Sequence, residues 1–244
     1  MMHPVRHKNH DEWVARLTAA ARSGEVLDLT AGITDPALLD PAQADSWPQE
    51  RRIPASAIRA TLLQPHLNPH GLRLRGAYIA GGLDLEHITA PCPLHLTYSR
   101  LDKDANLTCA HFIELNLTNT YAPGVALDGA HITGDAVLDG LTATGEVRAP
   151  GAQIGGQLNL TNATLTNNDG DALTLDGAHI TGGAVLDGLT ATGEVRALDA
   201  QIGGQLNLTN ATLTNNEGDD ALTLDQDSDQ RILAAQRDHA RGDS

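Results

Sequence analysis

The sequence predicts an all-β fold: a right-handed parallel β-solenoid of about 22 residues per coil with a small helical N-terminal cap. Three observations carry this expectation. The stretches DGAHITGDAVLDGLTATGEVRAPGAQIGGQLNLTNATLTNNDGDALTL (128–175) and DGAHITGGAVLDGLTATGEVRALDAQIGGQLNLTNATLTNNEGDDALTL (176–224) are nearly identical, offset by 48 residues, with one extra Asp near the end of the second. Each stretch divides into shorter steps in which apolar and polar residues alternate, the period of a strand with one buried face. Aromatic residues are 2% of the chain, too few for an ordinary core, so stacked aliphatic side chains must fill the interior.

The step is 11 residues. AHITGDAVLDG, LTATGEVRAPG and AQIGGQLNLTN each have that length, and ATLTNNDGDALTLDG is the same unit with four residues inserted. The ladder extends N-terminally through AYIAGGLDLEH, ITAPCPLHLTY, SRLDKDANLTC and AHFIELNLTNT to a short YAPGVALDG. Units start at Ala77, Ile88, Ser99, Ala110, Tyr121, Ala130, Leu141, Ala152, Ala163, Ala178, Leu189, Ala200 and Ala211, thirteen in all. Gly or Asn recurs twice per unit, as corners of positive φ require. Recurrent mid-unit Gly and Thr, without a 3.6-residue period, disfavour helix. Two units form one coil, so thirteen give about 6.5 coils rising ~4.8 Å each, roughly 31 Å.

Two aliphatic series are expected inside. One runs Ile132, Ala143, Ile154, Leu165, Ile180, Ala191, Ile202, Leu213. The other runs Leu138, Ala149, Leu160, Leu175, Leu186, Ala197, Leu208, Leu224. Large and small residues alternate by half-coil, which suits a narrow interior.

A solenoid exposes a strand edge and an open core at each end, so both ends need caps. Residues 1–70 read as a helical and irregular N-terminal cap. DEWVARLTAAARSG has Trp13 and Leu17 on one helical face and Gly24 as its stop. PASAIRATLL predicts a second helix over 54–63 with Pro at its first position. Pro36, Pro41, Pro48 and Pro54 mark irregular chain between them. Residues 71–226 form the solenoid, and 227–244 a tail in which Ser228–Arg241 reads as a short helix with Ser228 as N-cap. The terminal helices also offer a homodimer contact, and the sequence leaves the oligomeric state open.

The formal net charge is −15. Residues 77–226 hold 19 acidic side chains against the bases Arg100, Lys103, Arg148 and Arg196, while 1–76 hold 9 bases and 8 acids. Such a chain is a poor binder of nucleic acid or an anionic membrane through bulk electrostatics. The acids recur near corners, among them Asp135, Asp139, Glu146, Asp169, Asp171, Asp187, Glu194, Glu217, Asp219 and Asp220. Asp135, Asp139, Glu146, Asp187, Glu194, Glu217 and Asp219 make the candidate interaction surface, either a solvated coat or a mimic of a phosphate backbone. A second candidate is a T-x-T array: Thr142/Thr144, Thr164/Thr166, Thr190/Thr192 and Thr212/Thr214 stack on one face if the coil is 22 residues. Flat arrays of this kind resemble the ice-binding faces of β-helical antifreeze proteins, although Thr is also simply a good strand former.

The pattern PHGLRLRGAYIAGGLDLEH (69–87) and the repeated GAQIGGQLNLTNATL (151–165) carry a family resemblance. The chain resembles the bacterial pentapeptide-repeat and related right-handed β-solenoids. It is closest to an actinobacterial repeat group whose members are often labelled oxidoreductases, a label that no residue here supports. The resemblance covers most of 50–226. The strict five-residue pattern A-[DN]-L-x-x is not kept, since the unit here is 11. Some pentapeptide-repeat proteins resemble DNA to gyrase and protect it from inhibitors, and the resemblance implies a DNA-binding enzyme as protein partner.

Other chemistry has little support. G-x-G-x-x-G, P-loop, G-x-S-x-G and the calcium-binding G-G-x-G-x-D pattern are absent, so no cofactor and no catalytic residue is assigned. His111 and His131 occupy one unit position a coil apart, with Gln153, His179 and Gln201 continuing it, but no third ligand is fixed for a metal. Cys92 and Cys109 are too few for a disulfide framework, and the start lacks the apolar core of a signal peptide; a cytoplasmic protein with reduced thiols is expected. Six N-x-[ST] sequons, at Asn106, Asn116, Asn159, Asn162, Asn207 and Asn210, read as turn chemistry rather than glycosylation sites. The enzyme alternative gathers Asp135, Asp139 and Glu146 as clustered carboxylates on a solenoid face.

Overall fold

Every strand pairing among the described residues is parallel, and most partners stand 22 residues apart: Leu72 beside Leu94, Tyr78 beside Arg100, Leu83 beside Ala105, Gln153 beside His131. The computed structural model describes residues 10–33, 35–90, 92–216 and 220–224. Over these the chain is a parallel β-solenoid of about seven turns, preceded by two helices.

One coil has four short strands. Starting from Thr142–Ala143 on face one, the chain passes to Val147–Arg148 on face two and turns a left-handed corner at Gly151. It continues through Gln153–Ile154 on face three and Leu158–Asn159 on face four to a second left-handed corner at Asn162. Backbone bonds run along the axis in both directions. Leu138 N–H donates to Asn159 C=O and Leu160 N–H to Val185 C=O, each at 2.7 Å, while Gln153 N–H donates back to Ala130 C=O at 2.8 Å. The long strands Thr164–Thr174 and Thr190–Ala197 cross from face one to face two, which joins those faces into one 13-stranded sheet.

The spacing of left-handed corners sets the true repeat. They fall at His87, Tyr98, Cys109, Asn119, Gly129, Gly140, Gly151, Asn162, Gly177, Gly188, Asp199 and Asn210. The step is 11 residues except at two places. It lengthens to 15 across the insertion, and it is 10 on either side of Asn119. The short region is therefore two ten-residue units, 110–119 and 120–129, and a unit starts at Thr120 instead of Tyr121. Alternation hides this because the inward position is occupied by a hydroxyl: Thr120 is 1% exposed and its Oγ1 donates to Leu96 C=O. Ser99, in the same column, is fully buried, donating to Thr97 C=O and accepting from Ala77 N–H. A buried hydroxyl is tolerated where it finds such partners.

In most units only one of the two Gly/Asn positions has positive φ, the exceptions being the mid-unit Gly81 (φ 84) and Gly193 (φ 110). The mid-unit glycine answers a different constraint. A Cβ on Gly155 would lie 2.1 Å from the Thr133 carbonyl oxygen of the neighbouring coil, so stacking itself excludes a side chain there.

The expected aliphatic series line the interior. Ile132, Ile154 and Ile180 pair in register on face three, and Ala143, Leu165 and Ala191 on face one; all are at most 1% exposed. Phe112 begins the isoleucine column. The second series is equally buried from Leu138 to Leu186. In the last coil Leu206, Leu208, Ala211, Leu213, Leu222 and Leu224 are only partly covered.

The N-terminal end is closed by helices. Helix α1 (His10–Ser23) buries Trp13, Leu17 and Ala21 and packs on α2 (Ala55–Leu62), which buries Ile58 and Leu62. Gly24 (φ 75) ends α1 with its N–H on Ala20 C=O, as its sequence predicts. Pro54 is the N-cap of α2, so the helix begins at Ala55, one position after the expected start. Strands β1 (Val26–Asp28) and β2 (Arg52–Pro54) lie beside Arg73–Arg75 and Tyr78–Ala80, so the region before the repeats also supplies strands to the solenoid edge. Arg51 is 5% exposed, lies over the Trp47 ring at 3.3 Å, and donates through Nε to Gly76 C=O at 2.7 Å. Burial pulls its pKa down to about 10. The expected helix at 228–241 lies outside the described residues.

Candidate functional site

The coil register distributes the corner acids over different edges. Between faces one and two lie Asp102, Asp104, Glu146, Asp169, Asp171, Glu194 and Asp220. Seven carboxylates therefore occupy one edge along much of the axis, with Asp171 and Glu194 directly in register. Lys103 is the one base within that edge among the described residues. Arg148 and Arg196, on the adjoining strands, are drawn the other way: Arg148 pairs with Asp128, and Arg196 with Asp176 at 2.6 Å while standing 3.8 Å from Asp171. These pairs repeat one another across the duplication. Glu146 and Asp171 share the Thr174 hydroxyl, at 2.7 and 3.3 Å.

Of the candidate acids, the fold brings Glu146 and Glu194 together on this edge. Asp135 lies on the turn between faces three and four, and Asp139 and Asp187 at the corner after face four. Glu217 and Asp219 lie outside the described residues. The triad Asp135, Asp139 and Glu146 of the enzyme alternative is thus spread over three corners.

Several acids bind the next coil instead of solvent alone. Asp135 accepts from Gln157 N–H at 2.7 Å, Asp139 from Thr161 N–H at 3.1 Å, and Asp176 from Leu198 N–H at 3.0 Å, each pair 22 residues apart. Asp102 accepts from Gly81 N–H at 3.1 Å and from the Tyr78 hydroxyl at 2.9 Å, and the Gly81 bond leads in holding its carboxyl below the usual range. Burial raises the Asp139 carboxyl instead. Composition alone gives no sign of this stapling role; the 22-residue spacing of an acid and a turn is the signal that would.

Seven of the eight T-x-T residues stack. Thr142, Thr164, Thr190 and Thr212 form one outward column on face one, and Thr166, Thr192 and Thr214 a second. Thr144 is the exception, and the expected fourth member of the second column is corrected here. Its strand stops at Ala143, and the register with the next coil ends at the Ala143–Leu165 pair. Thr144 and Gly145 instead form the bend that carries the chain to face two. In the next coils the strands Thr164–Thr174 and Thr190–Ala197 run on through that position, which keeps Thr166 and Thr192 in register. The exposed Thr144 hydroxyl accepts from the Tyr121 hydroxyl at 3.4 Å.

Towards the N-terminus the first column continues as Tyr121, Arg100, Tyr78 and Arg52. Arg52 lies over the Tyr78 ring at 4.0 Å and Arg100 over Tyr121 at 4.2 Å. Arg100 also bonds to the carbonyls of Pro41 and Ala42, so the N-terminal segment covers this end of the column.

The sequons have a local explanation. At Asn106, Asn116, Asn159 and Asn207 the side-chain oxygen accepts the N–H of the Thr two residues on, the Asx turn that ends a strand. Asn162 and Asn210 are left-handed corners. His111 and His131 stack with ring centroids 5.4 Å apart, and His179 bonds Gln201 at 3.1 Å in the same column. Among the described residues no three His, Cys, Asp or Glu side chains gather as a metal site, and no helix is long and apolar enough to cross a membrane.

No family model, no curated protein and no solved structure matches this chain. The architecture therefore stands on its strand register.

Proposed function

We propose that the protein is a rigid, non-catalytic interaction scaffold whose acidic edge docks on a basic protein surface. The specific form is mimicry of DNA toward a DNA-processing enzyme such as gyrase, in the manner of the pentapeptide-repeat solenoids that the chain resembles. The observation that supports it is the collection of seven carboxylates on one edge, with Arg148 paired to Asp128 and Arg196 held between Asp176 at 2.6 Å and the edge's Asp171 at 3.8 Å. A fixed row of charge raises the on-rate to a complementary groove, and the complex weakens as salt screens it. A supercoiling assay with purified gyrase tests the reading. Inhibition that disappears as salt rises, or protection of the enzyme from inhibitors, supports it; absence of both, with no salt-sensitive complex, removes it.

The in-register threonine columns favour a second reading, ice binding through face one. Repeated hydroxyl and methyl groups at the strand spacing of ~4.8 Å form an ordered array. Thermal hysteresis of the purified protein, lost in Thr164→Tyr and Thr190→Tyr variants, is its test.

A further inference from the structure

The protein has three tyrosines, and two of them, Tyr98 and Tyr121, line one pocket of about 260 Å³. It lies where the N-terminal segment around Asp40 crosses the corner after face four, and Asn119, Gly140 and Thr142 form its other walls. Tyr98 is out of place there on structural grounds. It occupies a left-handed corner (φ 48), a conformation costly for a bulky side chain. Asn and Gly fill the later corners of the same column, Asn119, Gly140, Asn162, Gly188 and Asn210. His87, Cys109 and Asp199 carry similar strain in the other corner column, and Tyr98 carries it at the wall of a pocket.

The column also shrinks along the axis, from the Tyr98 ring to the Asn119 amide to Gly140, which opens the space. A Cβ on Gly140 would lie 2.3 Å from Asn119 Oδ1, so that carboxamide needs the glycine beside it. Neither the Asn119 carboxamide nor the Tyr98 hydroxyl has a hydrogen-bond partner among the described residues. The walls thus offer aromatic rings, neutral groups that both donate and accept, and one carboxylate; Arg75 lies over the Tyr98 ring at 4.8 Å and Arg100 over the Tyr121 ring at 4.2 Å, which leaves the opposite ring faces for a ligand.

We propose that this pocket binds a neutral polyhydroxylated ring, a single sugar unit. Aromatic faces take its C–H groups, and the amide and hydroxyls take its alcohols. The size is below the ~300–1,000 Å³ of drug-sized sites, which fits one ring and not a nucleotide.

The test is a heteronuclear NMR titration of the full chain with glucose, galactose and N-acetylglucosamine separately. At least one sugar is expected to produce saturable shifts of the Asn119 side-chain amide and the Gly140 and Thr142 backbone amides, with Kd on the order of millimolar. Tyr98→Asn removes the ring but suits the corner. It is expected to raise Tm while weakening binding at least ~10-fold, a combination that a purely structural tyrosine does not give. Absence of shifts with all three sugars, or equal affinity in Tyr98→Asn, overturns the proposal.

Discussion

The Asp139 carboxylate accepts a hydrogen bond from the backbone N–H of Thr161, one full coil further along the chain, at 3.1 Å. The bond spans 22 residues and joins two corners directly above one another. It shows that part of the protein's acidity holds coils together, and only the remainder is free to meet a partner.

Removing that acceptor costs stability, but removing its charge does not. Asp139→Ala leaves the Thr161 N–H with only the Asn159 side-chain oxygen, at 3.2 Å, removes the acceptor of Asn159 Nδ2, and is expected to cost about 0.5–1.5 kcal/mol at pH 7. Asp139→Asn keeps an oxygen in place and is expected to be neutral or slightly stabilising. Burial raises the Asp139 carboxyl above its ordinary value of 3.8, so its ionisation opposes folding. The stabilising contribution of the protonated form is complete below 3.8 and is lost as pH rises through the folded-state value. Urea denaturation across pH 3–7 checks this: the advantage of Asn over Asp should be present at neutral pH and vanish in acid.

Asp102 has the opposite sign. Its bonds from Gly81 and Tyr78 hold the carboxyl below 3.8, so its contribution is present above that pH and is lost as pH falls through the folded-state value. Asp102→Asn should lower stability at pH 7 and flatten the acid limb of the stability profile. Thermal melts of both proteins from pH 2.5 to 7 measure it.

Two glycines separate conformation from crowding. Gly155 faces the Thr133 carbonyl at a distance no Cβ tolerates, so Gly155→Ala is expected to destabilise by about 1–3 kcal/mol. Gly151 is a left-handed corner (φ 64) with open space around it, and non-glycine residues, His87, Cys109 and Asp199, occupy the same corner in other coils. Gly151→Asn is expected to change stability by less than about 0.5 kcal/mol. Chemical denaturation of the two variants gives the comparison.

The last coil should open first. Ala184, Leu186 and Ala191 are at most 1% exposed, while Leu206, Leu208 and Leu213, one coil on, are only partly covered. Hydrogen exchange should therefore be faster over 204–216 than over 152–165, because coils of a repeat protein are stabilised by their neighbours. Uniform protection along the axis would contradict it.

Much of this molecule is legible in the sequence because alternation and duplication report the same geometry twice. The inward series from Ile132 and Leu138, the threonine column from Thr142 and the His111–His131 pairing follow from period and spacing alone. Thr144 breaks its column because spacing gives a residue's place in the unit but not where the strand stops. Thr120 escapes because a satisfied buried hydroxyl reads as an outward residue. The mid-unit glycines escape because crowding by a neighbouring coil leaves no local mark. The split of Glu146 and Glu194 from Asp135, Asp139 and Asp187 needs four faces per coil, whereas the 11-residue unit shows only two halves. The insertions are likewise opaque in sequence. In the fold, Asn167 Nδ2 donates to Asp171 C=O at 2.8 Å and closes the first, and Asn215 to Asp220 C=O at 3.2 Å repeats this in the second.

Placement of charge, beyond its amount, is the central claim, and a pair of triple variants tests it. Glu146→Gln, Asp171→Asn and Glu194→Gln together neutralise the edge between faces one and two. Glu86→Gln, Asp187→Asn and Asp199→Asn remove the same net charge from other corners. Binding of each to purified gyrase at low salt is the measurement. The edge variant is expected to lose at least ~10-fold in affinity while the control stays within about twofold of the unaltered protein; equal losses in both, or none in either, would contradict an acidic edge as the docking surface.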